Sequence, residues 1–289
     1  MRKIGLICKR DRQEPEDILR DLVPWLLARG AEVYTGTNET RMAGETGVGP
    51  VKSCPFEKMQ DVVDMAIVLG GDGTMLGAAR QFAESGIPIL GVNLGGLGFI
   101  TEVPPTQIFE ALEDALAGRS VIEERMMLSA QITRASGTKE TYLSMNDIAV
   151  SKGATARIVD FRTSVDGRFI NLFKADGVIV ASPTGSTAYS MSAGGPIVYP
   201  TVECMLLTPI CPHMLTNRPI VLSAGSTVEI TLGAATDEAI ITYDGVMAGQ
   251  FNPGDTVMIS RSKHKARLIM PRDRDHFYML RSKLKWGER

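Results

Sequence analysis

The first 118 residues alternate short apolar runs with stretches of helical periodicity, and that alternation leaves few folds open. It is the pattern of βαβ units wound around a mostly parallel sheet. Arg2 to Cys8 reads as a strand. Pro15 opens a helix whose apolar face is Ile18, Leu19, Leu22, Leu26 and Leu27, with Pro24 expected to kink it and Gly30 to end it. Ala31 to Tyr34 is the next strand. Residues 36–57 are rich in Gly, Thr, Glu and Pro without apolar periodicity and read as one long loop, of the kind that serves as a lid. Asp64 to Leu69 is a buried strand that empties into Gly70-Gly71-Asp72-Gly73-Thr74 and a helix to about Ser85. Ile87 to Val92 repeats the move, running into the loop from Asn93 to Phe99. Thr106 to Ala117 is a helix ended by Gly118.

Near residue 120 the pattern changes to short alternating strands separated by turn signals, notably Ser136-Gly137, Asp166-Gly167 and Asp244-Gly245. Asp-Gly between Val165 and Arg168 is a two-residue hairpin signal. Helical patterning is confined to a short stretch after Thr187. The expected fold class is therefore α/β plus β: a Rossmann-like α/β domain over residues 1–120, then a β-rich, sandwich-like domain over 121–264. The tail, about 265–289, is assigned back to the first domain. Neither half contains an internal repeat or a low-complexity segment.

Charge and composition exclude several roles. Lys plus Arg number 31 against 33 Asp plus Glu, with no long run of either sign, so no positive field is present for nucleic acid or a membrane surface. The apolar run at the N-terminus stops at Lys9, too short for a signal peptide, and nothing approaches a membrane span of about 18 residues. Cys8, Cys54, Cys204 and Cys211 are scattered and form no Cys-x-x-Cys pair, which suits buried thiols in a reducing, cytoplasmic setting. Cys204, Cys211 and His213 match no zinc spacing, and no metal site is assigned to them.

Four segments carry chemistry. Gly70 to Thr74 lies at the carboxyl end of a strand and opens a helix, where backbone N–H groups and the helix dipole favour a phosphate. Asp72 is out of place in a phosphate cradle, unless it binds a cation or takes a proton from an attacking hydroxyl; the alternative is that it caps the helix. The turn lacks the Lys-Ser/Thr of a P-loop. The loop from Asn93 to Phe99 provides a second glycine turn one strand later, with Phe99 open to two readings: a stacking surface for a base, or core. Lys174 to Ser190 runs a buried strand into a turn holding five hydroxyls, those of Ser182, Thr184, Ser186, Thr187 and Ser190, a donor and acceptor set suited to ribose and purine edges. Asn146-Asp147 places an amide beside a carboxylate, a pair suited to a ribose diol and equally to an ordinary turn.

In combination and in this order, Gly70 to Thr74, Asn93 to Phe99, Asn146-Asp147, and Ser182 to Ser190 followed by Ala193-Gly194-Gly195-Pro196 resemble the NAD kinase family along nearly the whole chain. The Pro212-His213 and Arg218-Pro219 segment resembles it too, whereas Gly-Gly-Asp-Gly-Thr alone is shared with diacylglycerol and sphingosine kinases. The resemblance implies ATP-dependent phosphorylation of NAD at the 2′-hydroxyl of its adenosine ribose, giving NADP, with Mg²⁺ or another divalent cation. It implies Asp72 as general base with Gly73 beside it on the dinucleotide. Phe99 would lie at the same site. Asn146 and Asp147 would hold ribose or nicotinamide groups, and Asp176 with Lys174 the other end of the substrate. Thr187, Ala188, Tyr189, Ser190, Met191 and Ser192 would surround adenine and ribose, and Arg157 fills a further contact position. Members of the family assemble as dimers or tetramers, so a homodimer or homotetramer is expected.

One departure stands out. Where many members read Asp-x-Gln, this chain has Asp244-Gly245-Val246, and Gln250 lies four residues on. Two rivals stand beside the kinase reading. A lipid kinase would use the same glycine turn but calls for a basic amphipathic surface, which the sequence lacks. A non-catalytic dinucleotide sensor would keep Asp72 only as a helix cap.

Overall fold

The computed structural model describes residues 2–8, 14–36, 50–95, 98–153, 158–233, 239–272 and 275–287, the side chains of 14–16 excepted. Residues 37–49 of the long loop, Gly96 and Leu97 of the second glycine turn, and Arg157 lie outside the described residues. The chain forms two compact units, Met1–Glu124 with Ala266–Arg289, and Arg125–Lys265.

The first unit contains β1 (Lys3–Cys8), α1 (Glu14–Ala28), β2 (Glu32–Thr35), β3 (Lys52–Ser53), β4 (Met65–Gly70), α2 (Asp72–Phe82), β5 (Ile89–Asn93) and α3 (Ile108–Leu116). Its strands are all parallel in the order β3-β2-β1-β4-β5. The apolar face of α1, with Leu19, Leu22, Val23 and Leu26 buried, packs on Ile4, Leu6, Val33, Ile67 and Leu69. α1 continues through Pro24, which sits on the exposed face. Part of the segment read as one loop is structured: β3 and a 3₁₀ turn at Phe56–Asp61, anchored by buried Met59, replace it. A two-residue strand and a single turn are too short to leave a periodic signal.

The second unit contains β6 (Val121–Thr133), β7 (Lys139–Ser144), β8 (Asp147–Lys152), β9 (Val159–Val165), β10 (Arg168–Ala175), β11 (Gly177–Ala181), α4 (Tyr189–Ser192), β12 (Cys204–Ile210), β13 (Ile220–Ser223), β14 (Thr227–Leu232), β15 (Ala239–Tyr243) and β16 (Val246–Phe251). The long β17 (Thr256–Met270) begins here, paired with β14, and ends in the first unit beside β5. One sheet runs β13-β12-β11-β8-β15-β16 and the other β10-β9-β14-β17. Alternate residues of both sheets, among them Ile148, Val150, Val178, Val180, Phe161, Val228, Ile230 and Ile259, interdigitate in one core, which makes this unit a sandwich. Ala149, Ile179, Ala181 and Leu206 face the opposite side, where Ala193 and Val198 cover them. Asp166-Gly167 and Asp244-Gly245 both turn with positive φ at each residue, 51° and 73°, 47° and 75°, the geometry of tight hairpins. Chain and fold end with α5 (His276–Leu284) in the first unit.

Phe161 is fully buried in the sandwich, its ring 6.0 Å from that of Phe173. Phe161→Ala is expected to cost about 3–5 kcal/mol, read as a shift of the urea unfolding midpoint.

Candidate active site

β4 lies between β1 and β5, and the strand order reverses at β1, so the turn after β4 opens at the switch point of a doubly wound sheet. Asp72 is the first residue of α2 but does not cap it: Gly71 is the cap residue, without a side-chain bond. The carboxylate instead reaches the second glycine loop. Oδ2 accepts from the Phe99 amide at 2.9 Å, and Oδ1 from the Ile100 and Thr101 amides at 3.3 and 3.2 Å and the Thr101 hydroxyl at 3.0 Å. The helix-cap alternative is therefore set aside. Gly98 is required by this approach, since a Cβ there would stand 2.1 Å from Thr101 Oγ1 and 2.3 Å from Asp72 Oδ1. Gly73 is exposed, with nothing within 4 Å of a Cβ added there. Phe99 is half-buried rather than core.

In the second unit a carboxylate does the same work on another turn. Asp244 accepts from the Ser144 hydroxyl at 2.6 Å and the amides of Met145, Asn146 and Asp147 at 3.1, 2.7 and 3.3 Å. This fixes Asn146-Asp147 at the end of β8, beside Ala181 at the end of β11. Asp147 is 5% exposed, and no described residue donates to its carboxylate. Burial, reinforced by the nearby charge of Asp244, pushes its pKa up to about 7. Asn146 Oδ1 is likewise buried without a partner. Asn146 Oδ1 thus waits for a donor, a costly arrangement unless a ligand completes it, and the Asp147 carboxyl group beside it, with its raised pKa, can accept or donate.

The hydroxyl-rich turn is built differently from its sequence reading. Ser182 donates to Met145 O at 2.5 Å, Ser186 bonds Val198 in both directions, Ser190 pairs with Thr208 at 2.9 Å, and Thr184 accepts from Arg125 at 3.3 Å. All four are buried, so their side chains fasten the turn to its surroundings instead of facing outward. Thr187 donates to Thr184 O. The accessible surface of the segment is Ala188, Tyr189, Met191 and Ser192, with Thr187 partly open. Gly185 packs on Asn146, where a Cβ would meet the carbonyl oxygen at 2.1 Å. Tyr189 is 45% exposed, and its hydroxyl pKa is raised by partial burial and by the charges of Cys211, Asp147 and Asp176.

Asp176 immediately precedes β11, five residues from Ala181, so it stands about 17 Å along the strand direction from Asp147's end. Its ion partner is Lys152, at 2.8 Å, and not the neighbouring Lys174, which is exposed. Val246 opens β16 opposite Tyr243, 41% exposed, whereas Gln250 pairs with Ile240 at the far end of the strand, about 13 Å on, and does not take its place. The sequence marks the position of Asp244 but not its carboxylate's partners, and it marks neither Lys152, which pairs with Asp176, nor fully buried Arg125, which bonds Thr184. For Asp244 the Asp-Gly turn was the available signal; the other two gave none.

A glycine turn with a carboxylate at the switch point, followed by a β-sandwich unit, is the class of fold and turn that a nucleotide phosphotransferase has. Residues 4–120 match the ATP-NAD kinase N-terminal domain and residues 145–270 the ATP-NAD kinase C-terminal domain. The NAD kinases of Geobacter metallireducens and Citrifermentans bemidjiense are 44% and 43% identical, each over 100% of both chains. Among solved structures, an NAD kinase from Archaeoglobus fulgidus in complex with ATP superposes with a TM-score of 0.75 at 26% identity, covering 98% of each chain. Yeast NADH kinase complexed with NADH reaches 0.92 at 23% identity, over 100% of this chain and 89% of that one, a likeness of fold. The chain belongs to the NAD kinase family. It is an enzyme, an ATP-dependent kinase that converts NAD to NADP.

Gly98→Ala is expected to lower NADP formation at least tenfold, because its methyl displaces either Thr101 or the Asp72 carboxylate; steady-state kinetics reads this. Asp147 gives a pH signature. With its folded pKa raised to about 7, the native state holds a proton that the unfolded chain releases near pH 4, so stability falls as pH rises from about 4 to 7 and is level above. Thermal melts of Asp147→Asn should lose that component of the slope.

Proposed function

We propose that the phosphorylated group is the 2′-hydroxyl of the adenosine ribose, that Asp72 takes its proton, and that the second unit reads the dinucleotide. The observation that carries this reading is the pair of unpartnered groups, Asn146 Oδ1 and the Asp147 carboxyl, side by side on a turn fixed by Asp244. A ribose diol or an exocyclic amino group offers the partners they lack. Tyr189, Ala188, Met191 and Ser192 offer a surface for the ring next to it, with Thr187 and the Ser190 backbone shaping the turn. Asp176, about 17 Å along the sheet, suits the far end of an extended dinucleotide, with Lys152 holding it and Lys174 at the end of β10, two residues earlier in the chain. Arg157 keeps its place as a family contact position, outside the described residues.

In the transfer step the ribose oxygen forms a bond to the γ-phosphorus of ATP, the bond from that phosphorus to the bridging oxygen breaks, and ADP leaves. The hydroxyl proton passes to Asp72. Oδ2 is the oxygen for this, since it carries one donor where Oδ1 carries three, and a carboxylate oxygen has two lone pairs. The Gly70–Gly73 turn supports the phosphates. No group of three or more His, Cys, Asp or Glu side chains converges among the described residues, which fits a divalent ion arriving as metal–ATP rather than one held in a protein cage. Bound that way, Mg²⁺ neutralises charge on the transferring group.

No helix among the described residues is long and apolar enough to cross a membrane. The four cysteines form no disulfide among the described residues, which supports a reducing, cytoplasmic setting. A homodimer or homotetramer is supported by exposed apolar side chains on two edge strands, Phe169, Ile170 and Leu172 on β10 and Ile220 and Val221 on β13.

Asp72→Asn tests the base. The variant should lose at least about 100-fold in kcat while binding NAD within a few-fold of wild type, measured by coupled NADP detection and calorimetry. Retained turnover would rule Asp72 out, and activity that survives chelation of divalent ions would rule out metal–ATP as the donor.

A further inference from the structure

α5 presents one buried stripe to the first unit: His276, Met279 and Leu280, 7%, 6% and 4% exposed. The next position of that stripe at helical spacing is Lys283. A lysine in the last turn of a helix ordinarily fans into solvent to complement the helix dipole, as Arg281 does, exposed and paired with Asp275 at 3.2 Å. Lys283 is instead partly buried, and its Nζ stands 5.1 Å from the centroid of the Phe99 ring. No acidic side chain of the described residues pairs with it. Phe99 is the residue whose amide binds Asp72 Oδ2. The topology explains the delivery: the end of β17 runs parallel to β5, Leu268 against Ile89, so the chain leaves it toward the same sheet edge as the loop after β5.

We propose that Lys283 is a phosphate-binding residue of the transfer site, its ammonium held by the Phe99 face and directed at the phosphate chain beside Asp72. The motif turns themselves contain no Lys or Arg from Gly70 to Thr74 or from Asn93 to Phe99. A phosphoryl donor and a dinucleotide both bring several negative charges there, and a stripe-facing ammonium without a counter-ion has a ready use for one of them. The ligand chemistry is a polyphosphate chain, from ATP or from the pyrophosphate of the dinucleotide. The proposal rests on Asp72 marking the reacting end of the site.

The test compares wild type, Lys283→Met and Lys283→Arg, with ATP and NAD varied in turn and inorganic tripolyphosphate as inhibitor. Methionine keeps the stem over Phe99 and removes the charge. It should lower kcat/KM at least tenfold for one substrate, and arginine should restore it to within about threefold. A rise in the ATP KM with equally weakened tripolyphosphate inhibition assigns the contact to ATP, and a rise in the NAD KM alone assigns it to the dinucleotide. Kinetic constants of the Met variant within twofold of wild type, or a loss that arginine does not repair, overturns the proposal. Thermal melts check the fold; should the Met variant melt early, Lys283→Gln is held to the same criteria below its own midpoint. NADP formation by wild type is the control, since its absence would count against the kinase assignment and not against Lys283.

Discussion

The geometry of the turn after β4 in the first unit depends on one carboxylate, that of Asp72, bonded to the segment after β5 rather than to its own helix. Asp72 leaves its own helix uncapped and ties the Gly70–Thr74 turn to residues 99–101 through four hydrogen bonds. Charge-assisted bonds from backbone amides are among the stronger ones a loop can make, and three consecutive amides converging on one group leave that loop little freedom. The turn after β4 is thereby tied to residues 99–101, which follow a separate strand. Gly98 belongs to the same constraint, because any side chain there would occupy the position of the carboxylate oxygen.

The second unit solves the same problem with Asp244. Its carboxylate collects the amides of residues 145–147 and so aims Asn146 and Asp147. The satisfied carboxylate makes the neighbouring one unusual. With the local donors turned to Asp244, Asp147 is left buried and undonated, which is why burial raises its pKa so far. A fixed turn therefore carries an unpartnered carboxyl group by construction. The buried hydroxyls of Ser182, Ser186 and Ser190 serve the same end, removing freedom from the wall beside it.

How much of this is legible in the sequence follows from the range of the interactions. Strand, glycine turn and helix leave local patterns, so the α/β half, its turns and the two Asp-Gly hairpins can be read directly, as can the residues of the family motifs. Contacts across the fold leave none. Asp72 reaches 27 to 29 residues along the chain and Asp244 97 to 100 residues back, and neither distance has a sequence signature. Asp176 invites pairing with Lys174, two residues away, yet adjacent strands bring Lys152 to it instead. The density of hydroxyls after Ala181 reads as ligand chemistry because composition records which groups are present, not whether the fold has already used them.

Val246 shows the same limit from the other side. The family glutamine would extend a polar group from the residue after the Asp244-Gly245 turn, whereas here a half-exposed valine begins β16. Since Asp244 acts through its carboxylate on the turn at 144–147, the hairpin keeps its structural duty whatever follows Gly245. What the substitution removes is a hydrogen-bonding partner at the rim, and the unpartnered groups of Asn146 and Asp147 are unaffected by that loss. On the proposed reading, recognition of the dinucleotide in this chain rests on those two groups and on the Tyr189 face.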